Sequence, residues 1–321
     1  MELTTIQRDQ AGGVLLGQAI GDALGVPYEF AKRITLGTAA MVGGGLGPYK
    51  PGEWSDDTQM ALCIARVSAT GADLTSDDAL DQVAQGFFDW RIGGATDIGT
   101  QTSEVLRQAS RGTGRPSARV RAAAARPSAA GSAGNGALMR TAIVGLAFLD
   151  DAQKTADAAR HVAVLTHADQ RCVESSILWS EAVRVAVVDG RLDVRSGLAL
   201  LDPGRRQQWA AWLDEAETRP PDSFTPNGYT VTALQAAWAS IWSTRPADPA
   251  SPGDHVTDAL QTAIAIGDDT DTVAAIAGGL LGARYGVSGL PADLAARVHG
   301  WPGLRGPDLI DLALATATGR G

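Results

Sequence analysis

With 321 residues and 45% hydrophobic side chains, the chain can bury a large core, and its formal charge of −9 excludes general binding to nucleic acid or anionic membrane, which select basic surfaces. A nucleotide held by a local site stays allowed. Aromatics are only 5% while Ala and Gly abound, a composition that favours close-packed helices over a β-sandwich. Cys63 and Cys172 lack metal-type spacing and sit in apolar or helical context, so both read as buried free thiols. No signal-peptide core opens the chain and no stretch is long enough to cross a bilayer; a cytoplasmic protein is expected.

In chain order, residues 8–25 read as a helix in which Gly17, Gly21 and Gly25 recur every four positions, a spacing that lets another backbone approach closely. Asp22 is an isolated charge on that apolar background, read equally as solvent-facing or as functional. Glu29 follows Pro27 on a loop and by itself is an ordinary surface glutamate. A Gly- and Pro-rich loop over 37–53 delivers Trp54-Ser55-Asp56-Asp57-Thr58, whose ordinary reading is a helix N-cap with acids in the first turn. Asp77-Asp78 opens the next helix, through Val83, Phe87 and Trp90, in the same way. Asp97 stands in the turn Gly93–Thr100, and helical periodicity returns at Val105 and Leu106. Residues 110–134 form a loop with one short Ala-rich helix. It ends in Gly131-Ser132-Ala133-Gly134-Asn135-Gly136, which leads into a helix expected over 137–149. A glycine turn at a helix start offers bare backbone N–H groups to a phosphate, although this one matches neither the P-loop nor the dinucleotide fingerprint.

Helices are expected over 155–165 and 171–188, with His167 in the loop between them. A short Trp-containing helix is expected within 202–228, and further helices over 230–242 and 254–266. The last of these reaches Gly267-Asp268-Asp269-Thr270-Asp271-Thr272, three carboxylates and two hydroxyls in six residues. The apolar segment that follows is helix-like, with Gly278, Gly279 and Gly282 giving it a flat face; a short terminal helix falls within 301–321. No repeat and no β alternation is present, and the fold class is all-α: one domain over 1–321.

Ser55, Asp56, Asp57, Asp269, Asp271 and Thr272 together can supply an oxygen-rich site for a hard divalent cation, and the absence of paired His or Cys argues against zinc. Four aspartates exceed the charge of one such ion, so two ions fit better than one. The Asp-x-Asp spacing would place alternate carboxylates on one side of an extended segment.

The ordered set Gly21-Asp22-Ala23-Leu24-Gly25, Trp54-Ser55-Asp56-Asp57-Thr58, Asp97-Ile98-Gly99, Gly134-Asn135-Gly136-Ala137-Leu138-Met139-Arg140, Thr166-His167 and Gly267–Thr272 resembles the ADP-ribosylglycohydrolase family across nearly the whole chain. The resemblance implies a compact orthogonal helical bundle, a binuclear Mg²⁺ or Mn²⁺ centre, and removal of ADP-ribose from a modified target. It implies that Ser55, Asp56, Asp57, Asp269, Asp271 and Thr272 ligate the metals and that Asp97 is catalytic with a mobile Glu29. By the same likeness Gly131, Ser132, Asn135, Gly136 and His167 hold the diphosphate and proximal ribose, and Tyr229 stacks on adenine. Ser55 replaces a Thr found in many members and keeps the hydroxyl. Asp268 is one acid more than the usual run and is read as lying behind the ligands or facing the helix. Ala133 lacks the aromatic of the serine-specific type, which leans the substrate toward ADP-ribosylarginine on a protein, with nucleic acid or a small metabolite as alternatives. ADP-ribose is the expected product and a monomer the expected state. Two rivals are weaker: an isoprenyl diphosphate synthase wants Asp-Asp-x-x-Asp, whereas Asp56-Asp57 runs on to Met60, and a non-catalytic ADP-ribose reader would not need the full set of acids.

Overall fold

The structure is a computed structural model that describes residues 2–126, 132–246 and 252–319. Its spine is an antiparallel pair, α1 (Thr5–Gly25) and the helix Thr270–Tyr285 near the other end of the chain. Thr4 starts α1 with a reciprocal capping box to Gln7, which satisfies two end groups before the helix enters the core. From Gln10 to Gly25 every residue of α1 is buried. The glycine recurrence explains how: a Cβ on Gly13, Gly17 or Gly21 would overlap the carbonyl of Gly282, Gly278 or Ala274. Both backbones therefore approach without side chains between them, and the flat face expected of Gly278 and Gly282 is what α1 packs on.

Around this pair lie α2 (Asp56–Ser68), α3 (Asp77–Gly93), α4 (Thr100–Ala109), α5 (Pro116–Ala124), α6 (Ala152–Ala163), α7 (Gln170–Asp189), α8 (Pro203–Thr218), α9 (Thr230–Ser243) and α10 (Pro252–Ala265). The spine helix Thr270–Tyr285 is α11, followed by the single turn α12 (Ala292–Ala295) and by α13 (Gly306–Thr318), which returns to pack on α1. Among the described residues the only paired strands are β1 (His299–Gly300) and β2 (Leu304–Arg305), so the all-α expectation holds.

Three expectations change in detail. The helix expected over 137–149 is two 3₁₀ turns, Leu138–Arg140 and Ala142–Leu146. Gly145 is pressed against the backbone of Ser180, and the Thr141 hydroxyl donates to the Leu138 carbonyl, which suits a tighter turn than an α-helix. The Trp-containing segment is a full sixteen-residue helix, α8, rather than a short one. Asp77 and Asp78 follow an N-cap made by Ser76 but also ion-pair with Arg121 and Arg115, tying α3 to α5. Cys63 and Cys172 are buried free thiols, as expected.

Five tryptophans are fully buried, and each indole N–H finds an acceptor. Trp54 matters most for the site. Its N–H bonds the His299 carbonyl and its indole bonds the Trp301 carbonyl, so the entry to α2 is pinned to the C-terminal ribbon.

Candidate active site

Asp22 is fully buried, which overturns the solvent-facing reading. Its carboxylate is the true cap of α2: Oδ1 accepts from the Ser55 N–H and hydroxyl at 2.8 Å each, and Oδ2 from the Thr58 N–H and hydroxyl at 3.0 and 2.6 Å. Four donors on one carboxylate leave it little capacity for a further ligand. Local sequence hid this, because the helix being capped lies more than thirty residues downstream.

The acid stretch before α11 is held by Asn227. That buried amide accepts the Asp269 N–H at 2.9 Å and donates to the Gly267 carbonyl at 3.0 Å. Asn135 reaches the same place, donating to Asp269 Oδ2 at 2.8 Å and to the Asn227 carbonyl at 3.1 Å. Gly267 and Asp268 both have positive φ, a conformation Asp tolerates better than most residues. The reversal turns Asp269 toward the cleft, and the Asp268 carbonyl accepts the Phe30 N–H. Asp269 is the cap residue and Asp271 already helical, so an extended Asp-x-Asp is not how these two side chains converge.

Two triads of carboxylates result, Asp22–Asp57–Asp271 and Glu29–Asp269–Asp271, each with oxygens within 4.8 Å of one another and with Asp271 common to both. Among the described residues none of these acids is ion-paired to Lys or Arg. The Ser55 hydroxyl, with a single proton, faces oxygens of Asp22, Asp57 and Asp271 at 2.8, 3.1 and 3.2 Å. Asp57 Oδ1 is buried with no partner at all. Burial first, and then the neighbouring acids, push Asp57 and Asp271 well above the usual carboxylate range. The same causes push Glu29 up to about 9, with Asp269 and Asp97 the leading neighbours. Unpaired buried carboxylates of this kind are costly, and a hard divalent cation is the partner their oxygen set fits.

Above the triads opens a cleft of about 380 Å³. Glu29, Asp56, Asp97, Ser132, Asn135, Gly136, His167, Asp269 and Thr272 all line it, so most of the residues singled out from sequence meet in one place. Ser55, Asp57 and Asp271 lie buried beneath its floor. Asp56 lines the cleft but belongs to neither triad. Gly131 lies outside the described residues. Tyr229 stands beside the cleft rather than in its lining: its ring is half-buried, with the Arg171 guanidinium 5.4 Å from the centroid and bonded to the hydroxyl. Sequence reasoning missed Asn227 and Gln101; an Asn-Gly dipeptide at a turn was the only signal for the first.

The sequence model of the ADP-ribosylglycohydrolase family matches residues 3–320. An ADP-ribosylarginine hydrolase, Tri1, of Serratia proteamaculans (strain 568) is 30% identical over 292 residues, covering 88% of this chain and 73% of that protein. The Tri1 of Pseudomonas putida (strain GB-1), also an ADP-ribosylarginine hydrolase, is 29% identical over 315 residues, covering 90% and 74%. A solved structure described as an ADP-ribosylglycohydrolase-related protein complex superposes with a TM-score of 0.75 at 27% identity, covering 98% of this chain and 99% of that one. Fold and matches together define a helical hydrolase of glycosidic bonds. The chain belongs to the ADP-ribosylglycohydrolase family.

Proposed function

We propose that this protein hydrolyses the bond between ADP-ribose and an arginine side chain of a protein, at a centre of two Mg²⁺ or Mn²⁺ ions. The observation that carries the reading is that Asp271 lies close both to Asp57 and to the Glu29–Asp269 pair at the floor of the cleft. The named arginine hydrolases among the relatives support the substrate, as does the small Ala133. Ser55, Asp56, Asp57, Asp269, Asp271 and Thr272 are the proposed ligands, with Asp22 holding Ser55 in place from behind. When bound, such ions supply positive charge that orients sugar hydroxyls and lowers the pKa of water.

The chain's own acids divide the proton work. Cleavage breaks the bond from the anomeric carbon to the guanidine nitrogen and forms one from that carbon to a water oxygen. The leaving nitrogen needs a proton, and Glu29, lining the cleft beside Asp269 and Asp271, is placed to donate it. Asp97, facing the cleft from the turn before α4, takes the proton from water. Positive charge developing on the ribose ring is stabilised by the carboxylates below it. Gly131, Ser132, Asn135, Gly136 and His167 take the diphosphate and proximal ribose, and Tyr229 the adenine.

The test is incubation with Mg²⁺ and ADP-ribosylated arginine protein, serine protein and nucleic acid side by side, with released ADP-ribose measured by chromatography. Release from the arginine substrate is expected. Release only from serine or nucleic acid would remove the arginine reading, and undiminished release in excess chelator would remove the metal centre.

A further inference from the structure

We infer that Phe30 and Leu46 form an apolar lip beside the acids of the cleft, and that this lip selects the methylene stem of the modified arginine. The inference deepens the proposed function and rests on it for the position of the distal ribose.

Phe30 is anomalous in two ways. Its φ is 49°, in the left-handed region that is costly for a bulky side chain, and it is 61% exposed. Glycine would serve the turn better and an exposed ring adds little to the core, so neither backbone nor packing accounts for a Phe here. Among the described residues the other non-glycine with positive φ is Asp268, and the two are joined: the Phe30 N–H donates to the Asp268 carbonyl at 2.7 Å. Each of the pair adjoins a site acid in sequence, Glu29 and Asp269, and those two acids meet at Asp271. The backbone bond thus fixes the ring beside the acids. Strain held in this way clusters where ligands are clamped.

Leu46 reaches the same cleft from the Gly- and Pro-rich loop and is 57% exposed. Of the exposed large hydrophobics among the described residues, Phe30 and Leu46 alone line the cleft. The loop is clamped to the segment that leads to Glu29. Gly45, at positive φ, lies so close to the Val26 carbonyl that a Cβ would overlap it. The Tyr28 hydroxyl accepts the Ala40 N–H at 2.9 Å and faces the Ala40 carbonyl at 3.3 Å.

Among the described residues no Lys or Arg lines the cleft, whereas Glu29, Asp56 and Asp97 do. Carboxylates beside an apolar lip match a cation carried on a hydrocarbon stem, which is the chemistry of an arginine side chain. A serine offers one methylene and no charge. An exposed ring could also stack on adenine, but adenine lies at the far end of ADP-ribose from the bond being cut. Phe30 directly follows the acid placed at that bond.

The experiment compares two substrates of the Mg²⁺-loaded protein: ADP-ribosylated propylguanidine, which keeps a three-carbon stem, and ADP-ribosylated guanidine, which has none. Wild type is expected to cleave the first with a kcat/KM about tenfold higher. Phe30→Asn should bring that ratio to about threefold or less. Asn takes the left-handed region more readily than Phe and keeps the N–H to Asp268, so the variant removes the ring and not the turn. Phe30→Tyr should keep the ratio, and Leu46→Ser should lower it. Ile92→Ser, at a side chain 85% exposed and outside the cleft lining, should leave it unchanged. An unchanged ratio in Phe30→Asn, even with both activities lowered, would give the ring to ADP-ribose itself and overturn the inference. Cleavage of neither compound by wild type would remove the arginine reading and the lip with it, whereas cleavage of both at equal kcat/KM removes the lip alone.

Discussion

Helices α1 and α11 run against each other from Gly13 and Gly282 at one end to Gly25 and Asp271 at the other, and the two ends use the same closeness differently. At the Gly13–Gly282 end, glycines meet backbone and no charge is buried. At the Gly25–Asp271 end, the same approach sets Asp22 and Asp271 within reach of Asp57 inside a rigid seam. Carboxylates on flexible loops would relieve their repulsion by moving apart. Here the backbones cannot separate without opening the core, so repulsion can be relieved only by protons or by a cation. The tight packing of one end is what keeps the acids of the other together.

The largest effect should come from Asp271→Asn, which weakens both triads: turnover should fall by at least roughly 10³-fold while the helical circular dichroism stays unchanged. Retained turnover would show that the two triads do not act as one centre. At the opposite end, Gly13→Ala drives a methyl into the Gly282 carbonyl and should destabilise by about 3 kcal/mol in a urea melt. Gly93→Ala, with open space around it, should cost nothing by the same assay and serves as the contrast.

Next in size is a pH dependence. The folded-state values of Glu29, Asp57 and Asp271 are raised, so their contribution to stability is present below the ordinary carboxylate range and is lost as pH rises. Without divalent cation the melting temperature should therefore fall from about pH 4 toward pH 9, and the gain on adding Mg²⁺ should grow over the same interval. A gain that is flat with pH would detach the cation from these groups. The smallest effect is expected of Asp268→Asn, next to Asp269 but outside both triads. Stability should change by less than about 0.5 kcal/mol and turnover by less than about twofold. A large loss there would blur the boundary between the reversed turn and the site.

Much of this was legible in local sequence. Helices with apolar periodicity appeared where expected because burial of one face imposes the period directly. Ser55, Asp56, Asp57, Asp269, Asp271 and Thr272 stood out because acids beside long apolar runs demand an explanation. Other features were not legible. The role of Asp22 depends on Ser55 and Thr58, which local patterns do not connect to it. Asn227 acts on a turn forty residues away, and Gln101 becomes conspicuous only when its Oε1 is seen to lack a partner. The segment after Gly136 has helical composition, yet Gly145 against the Ser180 backbone accompanies a 3₁₀ path.

By itself the sequence determined where most of the helices lie, which faces are apolar or glycine-flat, and which short stretches concentrate oxygen ligands, because each of these follows from neighbours a few positions apart. Only the tertiary structure decided that Asp271 serves two triads, that Asp22 caps a distant helix, and that Thr166 holds both Gln101 and His167. Those are matters of distance between segments remote in the chain, and electrostatic and hydrogen-bond energies depend on that distance and on the water excluded from it.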